Sequence, residues 1–207
     1  TQPWYDDDTA IAGPVSSIAE AQRLLLELGP RRGYYPEPEK SILITPMDTP
    51  TSAFDALSEF KFHHTTGHRY LGGFVGSGHD EAKNWIDLQI NQWVEGVKAL
   101  SMVARRFPQT AYAGIAKSLQ AEWQYVQRVT PNLHQAFAPL ELAIAQTFLP
   151  ALLNCTIDEV AHLRPLIALP VRQGGLGILD PTKTSDHCYS ASTAIASLLT
   201  DSLVQNK

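Results

Sequence analysis

From Asp80 onward, the apolar residues of this chain recur at the spacing of an α-helix. The first stripe covers about four helical turns and ends before Pro108. Its members are Ile86, Ile90, Trp93, Val97 and Leu100. A stripe of this kind is typical of a helix that buries one face in a protein core. The second part of the chain is therefore predicted to be mainly helical.

Three more helices are predicted beyond this stripe. One covers about residues 109–129, with Ile115, Leu119 and Trp123 on one face, and another covers about residues 132–148. Pro139 is expected to kink or restart the latter. Asp180-Pro181 is a favoured N-cap and N1 pair for a last helix that ends near Val204.

The first 45 residues have a different character and predict the order strand, strand, helix, strand. Aromatic and β-branched residues flank three aspartates, and aspartate favours turns, so residues 2–12 predict a hairpin. Ser17 and Glu20 have the spacing of a capping box, which predicts the start of a helix that ends at Gly29-Pro30. The run SILIT, residues 41–45, predicts the third strand.

A second hairpin is predicted between this region and the helices. Residues 60–64 and 69–75 have strand-like composition, and Thr65-Thr66-Gly67 is suited to be the turn between them. Hairpins followed by helices predict an α+β fold.

Composition and charge exclude several classes of protein. The 207 residues are 44% hydrophobic, which suffices for one domain or two small ones with real cores. No apolar run approaches the roughly 20 residues that span a bilayer, so we expect no membrane association. The two cysteines lack disulfide-framework spacing, and no targeting signal is seen, which favours an intracellular protein, cytoplasmic or nuclear. The net charge of -5 requires any nucleic-acid contact to depend on a local patch.

The aspartates at the predicted first turn, Asp6, Asp7 and Asp8, are consecutive. Adjacent carboxylates repel one another, so they suit either a solvated turn or a site for divalent cations. Two-metal phosphoryl-transfer sites need several carboxylates around ions about 4 Å apart, and Mg²⁺ prefers hard oxygen ligands. These residues alone leave both interpretations open.

The run Tyr5-Asp6-Asp7-Asp8 resembles the Y-x-D-D hairpin of palm-type nucleic-acid polymerases. From this hairpin onward, the chain resembles the reverse transcriptases, or RNA-directed DNA polymerases, of retrotransposons. The segments that carry the resemblance occur in the family's order, and they are the Y-x-D-D run, Glu39-Lys40-Ser41, Tyr70-Leu71-Gly72-Gly73, the helical region, Leu169-Pro170-Val171-Arg172 and Gly174-Gly175-Leu176-Gly177.

The resemblance implies a domain organisation. Residues 1–78 would form a partial palm with the catalytic hairpin and a primer-gripping hairpin. Residues 79–155 would form a helical thumb, and residues 156–207 a helical tail. The complete enzyme would bind an RNA or DNA template, a DNA primer and deoxynucleoside triphosphates.

The resemblance also implies roles for individual residues. Asp7 and Asp8 would be catalytic and would hold Mg²⁺ or Mn²⁺, whereas Asp6 occupies the variable position of the motif and has no assigned role. Lys40 would donate a proton to the pyrophosphate or balance its charge, although a surface lysine at a strand entrance explains it too. Leu71, Gly72 and Gly73 would contact the primer, or they would simply form a hairpin with glycines at a bulge.

The chain begins without Met, directly before a strand, so we expect it to be part of a longer protein. The family's third aspartate and its fingers would lie upstream. We therefore expect this chain alone not to polymerise nucleotides. The alternative is a non-catalytic helical protein that binds nucleic acid or another protein, left from a decayed element.

Three further patterns in the chain are weaker. The run QGGLG, residues 173–177, lacks the lysine and the spacing of a P-loop, which favours a structural turn over phosphate binding. The run HHTTGH places His63 and His64 on opposite faces of a strand, which disfavours zinc. Basic side chains on the predicted thumb helices would follow a duplex backbone if they shared a face; they are Lys98, Arg105, Arg106, Lys117 and Arg128.

Overall fold

The structure is a computed structural model that describes the backbone of residues 4–5 and 8–205 and the side chains of residues 9–202. The described part is mainly helical and contains three two-stranded sheets, so the α+β prediction is confirmed at this level. The chain forms two compact units. The first comprises residues 1–68 and 75–82, and the second comprises residues 69–74 and 83–207. The predicted domain boundaries after residues 78 and 155 stay predictions.

The first predicted hairpin is confirmed. Strands β1 (Trp4–Tyr5) and β2 (Asp8–Thr9) pair antiparallel, with Trp4 opposite Thr9 and Tyr5 opposite Asp8. Asp6 and Asp7, the two residues between the strands in sequence, lie outside the described residues.

Helix α1 (Val15–Leu28) follows, and it ends at the predicted residue but begins two residues before Ser17. The capping-box prediction is therefore wrong. The Pro14 carbonyl accepts hydrogen bonds from the amides of Ser17 and Ile18. The first helical turn therefore already includes Ser17, which cannot be the N-cap. At the other end, a Cβ on Gly29 would overlap the carbonyl of Leu25, which explains the glycine there.

The next strands pair differently from the prediction. Strand β3 (Ile42–Ile44) pairs in parallel with β4 (His63–Thr65), so the predicted hairpin with a turn at Thr65-Thr66-Gly67 is wrong. A parallel pair needs a long crossover connection, and here it contains a 3₁₀ segment, Thr51–Phe60, which the sequence did not indicate. Leu57 and Phe60 of this segment bury against Ala19 of α1 as the core of the first unit.

Strands β5 (Gly67–Tyr70) and β6 (Gly73–Gly76) form the actual second hairpin. The turn between them is Leu71-Gly72, and both residues have positive φ, 47° and 79°. Positive φ at both central residues is the pattern of a two-residue type I′ loop, whose twist matches that of the strands. The hairpin was predicted to turn six residues too early because Thr-Thr-Gly has turn-like composition.

Helix α2 (His79–Ala104) opens the helical region and confirms the first stripe, because Ile86, Ile90, Trp93 and Val97 are buried and Leu100 is partly buried. Helix α3 (Pro108–Gly114), a π-helical turn (Ile115–Leu119) and helix α4 (Gln120–Val129) then form one continuous helix. This confirms the helix predicted over residues 109–129.

Helix α5 (Ala138–Ala143), a second π turn (Ile144–Phe148) and α6 (Leu149–Leu153) are also continuous. They begin six residues later than predicted because Pro139 starts this helix. Helix α7 (Ile157–Ala168) lies in the segment expected to be a helical tail, but its bounds were not predicted, although Thr156 and Glu159 form a capping box at its start. Helix α8 (Pro181–Gln205) begins at the predicted proline.

The second unit has one continuous core. Its centre is Trp93, whose ring stacks on Phe137 at 6.1 Å between centroids and meets Trp123 edge-on at 6.3 Å. The Trp93 Nε1 donates to Glu122 Oε2 at 3.0 Å, so burial leaves this indole nitrogen satisfied. Val160 of α7 and Ile178 of the following loop are buried in the same core.

In the described residues, no single helix is long and apolar enough to cross a membrane. One bent pair, Ala138–Leu153 with Ile157–Ala168 at 98°, meets the length and composition for a broken span.

Candidate functional site

The predicted metal ligands lie at the edge of what the structure describes. Asp7 is outside the described residues, and Asp8 is the first residue of β2, with its side chain outside the described part. The donor set that the sequence offers, consecutive carboxylates, is the kind that Mg²⁺ and Mn²⁺ take. Among the residues that the structure describes, no three His, Cys, Asp or Glu side chains come together as a metal site.

Lys40 lies at the entrance to β3, as predicted. It is the last residue of a 3₁₀ turn, Pro38–Lys40, and it forms an ion pair with Glu37. Its side chain is 78% exposed, so this surface ion pair leaves the ammonium free to exchange partners. This position agrees equally with a surface lysine and with a group that meets a triphosphate.

The predicted primer-contacting residues form the turn of the β5–β6 hairpin and the first residue of β6. Leu71 has φ 47°, a left-handed conformation that costs an L-residue with a Cβ about 1–2 kcal/mol. Its side chain is 45% exposed, so apolar burial offsets this strain only in part. Strain of this kind persists only where the surroundings impose the conformation.

Helix α4 imposes that conformation. The Tyr125 hydroxyl donates to the Leu71 carbonyl at 2.6 Å. A Cβ on Gly72 would lie 3.2 Å from the Tyr125 ring, and one on Gly73 would lie 2.9 Å from Val129 Cγ2. The hairpin tip thus lies directly against the C-terminal end of α4. Sequence reasoning missed Tyr125 and Val129, because both are on the solvent-facing side of their helix.

The glycine-rich loop is structural, as the sequence favoured. Its four successive amides all donate to carbonyls of the preceding segment, so none of them is free to bind a phosphate. The pairs are Gly174 to Val171, Gly175 to Pro170, Leu176 to Ile167 and Gly177 to Leu169.

The carbonyls at the end of this loop accept hydrogen bonds from side chains of the helices. Tyr112 donates to the carbonyl of Leu176 at 2.8 Å, and Gln120 donates to that of Gly177 at 2.9 Å. The Gln120 side-chain oxygen also accepts the Leu179 amide at 3.0 Å. Buried polar groups need such partners, and we call this set, together with the bonds of Arg164 and Gln127 below, the polar clamp.

Arg164 is the charged member of the polar clamp. Its guanidinium donates to the carbonyls of Ile178 and Leu179 at 2.7 and 3.0 Å. It also binds Glu141 through two nitrogens, at 2.6 and 2.7 Å. Burial raises the pKa of the Glu141 carboxyl, whereas the hydrogen bonds and charge of Arg164 act in the opposite direction. Gln127 completes the set by donating to the Pro181 carbonyl at 2.7 Å.

The basic side chains of the predicted thumb separate into paired and unpaired groups. Lys98 is bound to Glu95 at 2.8 Å, and the Arg106 guanidinium lies 5.3 Å from the centre of the Phe107 ring. Lys117 and Arg128 have no carboxylate partner among the side chains that the structure describes. Both are exposed on the continuous helix from α3 to α4, on the side of Tyr125.

An open groove of about 450 Å³ lies beside Arg128 in the second unit. One wall is the end of α4, and the other is the face of α8 that carries hydroxyl groups. The residues that line it are Arg128, Val129, Tyr189, Ser192, Thr193, Ala196, Ser197, Thr200 and Asp201.

Comparisons with known proteins give no relative: no family model, no curated protein and no solved structure matches this chain.

Proposed function

We propose that this chain contains the catalytic hairpin, the primer-gripping hairpin and the thumb of a retrotransposon-type reverse transcriptase. The reaction is template-directed nucleotidyl transfer. The 3′-hydroxyl of a DNA primer attacks the α-phosphate of a deoxynucleoside triphosphate, the new phosphodiester forms, and pyrophosphate leaves. The template is RNA or DNA.

The observation that carries this proposal is the pairing of β1 with β2. Tyr5 and Asp8, the first and last residues of the Y-x-D-D run, lie opposite each other in an antiparallel strand pair. That is the setting in which palm polymerases present their aspartates. The described elements that follow are a helix, strand β3 with its parallel partner β4, a second hairpin and a helical unit. The resemblance implies a helix, a strand, a hairpin and a helical segment in this order.

Within this proposal, Asp7 and Asp8 hold Mg²⁺ or Mn²⁺ through their carboxylates. When bound, the two cations lower the pKa of the attacking hydroxyl and balance the charge of the leaving group. Lys40 contributes a mobile positive charge for the pyrophosphate from its exposed position before β3. Leu71, Gly72 and Gly73 contact the primer strand.

The experiment is a titration of the whole chain with Mn²⁺, followed by the electron paramagnetic resonance of free Mn²⁺. We expect Asp7→Asn and Asp8→Asn each to weaken binding by about tenfold or more, because each removes a hard oxygen ligand. Asp48→Asn, at an exposed position of the same unit, is the matched control and should bind as the unchanged chain does. Equal affinity in all four proteins would exclude the proposed metal site.

A second candidate is a non-catalytic helical protein that binds a partner chain or nucleic acid. The C-terminal half of α8 favours it, because Ile195, Leu198 and Leu199 are 67%, 74% and 66% exposed. Large exposed apolar side chains on one helix are typical of an interaction surface. This candidate predicts that the Asp7→Asn and Asp8→Asn variants retain every binding property of the chain.

A further inference from the structure

We propose that Tyr125 is a positioning residue for the hairpin tip Leu71–Gly73, and that Arg128 beside it binds the phosphates of a primer–template duplex. The inference rests on the proposed function. It adds Tyr125 to it and selects Arg128 from the basic side chains of the predicted thumb. The tip, Tyr125, Val129 and Arg128 all belong to the second compact unit. They form what we call the tip surface.

The hairpin tip is coupled to α4. The bond from the Tyr125 hydroxyl to the Leu71 carbonyl is short, at 2.6 Å, and it joins residues 54 positions apart in sequence. Gly72 and Gly73 allow the close approach, since a side chain at either position would meet Tyr125 or Val129. The tip therefore has one position relative to α4, which is what a strand-contacting turn requires.

Leu71 has a backbone conformation that is unfavourable for leucine. Asn, Asp and Gly are the residues that favour the first central position of a type I′ turn, yet the chain has leucine there. Burial offsets the strain only in part, because the leucine side chain is half exposed beside Tyr125, itself 39% exposed. An exposed apolar pair held in a strained geometry suits the apolar face of a sugar or base.

The surface around the tip also carries positive charge. Arg128 follows Tyr125 by one helical turn on the exposed side of α4. Its Nε donates to the Gln124 carbonyl, and no carboxylate among the described side chains pairs with its guanidinium. Arg69, in the strand that leads to the tip, is also exposed and has no ionic partner within the described part. Two arginines without ionic partners in the described part, one in the strand before the tip and one on α4, complement a phosphate backbone, although the chain as a whole is acidic.

The groove beside Arg128 also has room for a ligand. The open groove of about 450 Å³ next to Arg128 is lined on its other side by side-chain hydroxyls of α8. Arginine and hydroxyl groups are the side chains that most often contact phosphate and sugar oxygens. Asp201 also lines this groove, so we place the phosphate contact at Arg128 rather than farther along α8.

The test is fluorescence anisotropy of a labelled duplex, with an RNA template strand and a recessed DNA primer, bound by the whole chain at several salt concentrations. Tyr125→Phe keeps the ring and removes the donor to Leu71, and we expect about fivefold weaker binding. Tyr112→Phe is the matched control, because it removes an equivalent bond from a tyrosine to the Leu176 carbonyl. It should leave duplex affinity unchanged.

Arg128 is tested by charge. Arg128→Gln should weaken binding and reduce the slope of log affinity against log salt by about one, as expected for one lost phosphate contact. Arg128→Lys should restore that slope, because a lysine supplies the same point charge. Hydrogen exchange at the amides of residues 71–73 should accelerate in Tyr125→Phe and stay unchanged in Arg128→Gln, since only the tyrosine positions the tip.

Three outcomes would overturn the inference: no binding of the duplex by the unchanged chain, equal losses in Tyr112→Phe and Tyr125→Phe, or an unchanged salt slope in Arg128→Gln. Preference for a protein partner over the duplex would count against it as well. The Mn²⁺ titration is independent of these measurements, so a failed tip surface and a failed metal site are distinguishable.

Discussion

Arg164 of α7 and Glu141 of α5 form a two-nitrogen ion pair that is almost fully enclosed, with side chains 9% and 17% exposed. The same guanidinium holds the carbonyls of Ile178 and Leu179. The pair therefore joins two helices and the loop before α8 at a single point. Its geometry satisfies the donors of the arginine, which is the condition under which a buried ion pair is tolerated.

Replacing Arg164 with methionine should destabilise the chain by about 3–5 kcal/mol, because it leaves a buried carboxylate and two carbonyls without donors. Urea denaturation followed by circular dichroism gives the free energy of unfolding. Lys98→Met is the matched control, since the pair with Glu95 is exposed and should contribute less than about 1 kcal/mol. Similar stabilities for both variants would contradict the buried role of Arg164.

Gln127 is fully buried and should tolerate substitution poorly. Its side-chain amide donates a hydrogen bond to the Pro181 carbonyl, and its side-chain oxygen accepts one from the Thr184 hydroxyl. Gln127→Leu keeps the volume but leaves the carbonyl unpaired, at a cost of about 1–3 kcal/mol. The exposed Gln135 provides the comparison, and Gln135→Leu should change the free energy of unfolding by less than about 0.5 kcal/mol.

Asp180 should make the stability of the chain depend on pH. Burial raises the pKa of its carboxyl, but the hydrogen bonds from Thr182, the charge of Arg164 and the contact with Lys183 together outweigh burial. The pKa therefore lies below its ordinary value. A lowered folded-state pKa stabilises the fold above the unfolded pKa of about 4. That stabilisation is lost as the pH falls through the folded pKa.

Chemical denaturation between pH 7 and pH 2.5 measures this effect. Asp180→Asn keeps an N-cap side chain, so at the lowest pH it should match the unchanged chain, and at pH 7 it should be less stable. Asp158→Asn, in the exposed first turn of α7, serves as the control. A constant difference at every pH would show that the charge of Asp180 has no part in stability.

Gly73→Ala should displace the hairpin tip. A Cβ there would lie 2.9 Å from Val129 Cγ2, and a β-branched side chain adjusts little. We expect a loss of about 1–3 kcal/mol together with faster hydrogen exchange at residues 71–73. Gly13→Ala is the comparison, because a Cβ there meets no atom within 4 Å, and its hydrogen exchange at the tip should be normal.

The chain alone should not extend a primer. A primer-extension assay on an RNA template with Mg²⁺ or Mn²⁺ measures this directly. We expect no product, since the resemblance places the third aspartate and the fingers upstream of the hairpin. Clear synthesis by these 207 residues would refute the expectation and would show that the described units suffice for catalysis.

Helix α2 and the continuous helix from α3 to α4 could be predicted because each has a regular apolar stripe, as Ile86 to Val97 shows for α2. The pairing of β4 could not, since it depends on a 3₁₀ crossover that has no periodic pattern. Capping boxes illustrate the same limit. Ser17 to Glu20 and Thr156 to Glu159 have identical spacing, yet only the second caps a helix, because Pro14 starts the first helix earlier.

Only those parts of the candidate site that are formed by adjacent residues could be predicted. A short motif, such as the Y-x-D-D run or the glycines at the tip, is visible in one sequence because its residues are adjacent. Tyr125 lies 54 positions from Leu71, and nothing in its local pattern distinguishes it from other exposed aromatic residues. The partners of Gln120, Gln127 and Arg164 are backbone carbonyls, which leave no trace in side-chain composition.

The polar clamp has a practical consequence for any shortened version of this protein. A chain that stops after α7 would retain Tyr112, Gln120 and Arg164 in the interior while removing the carbonyls that they bind. Such a truncation would leave these side-chain donors without hydrogen-bond acceptors, and we expect the shortened protein to aggregate or be degraded. Expression boundaries should therefore extend past the start of α8.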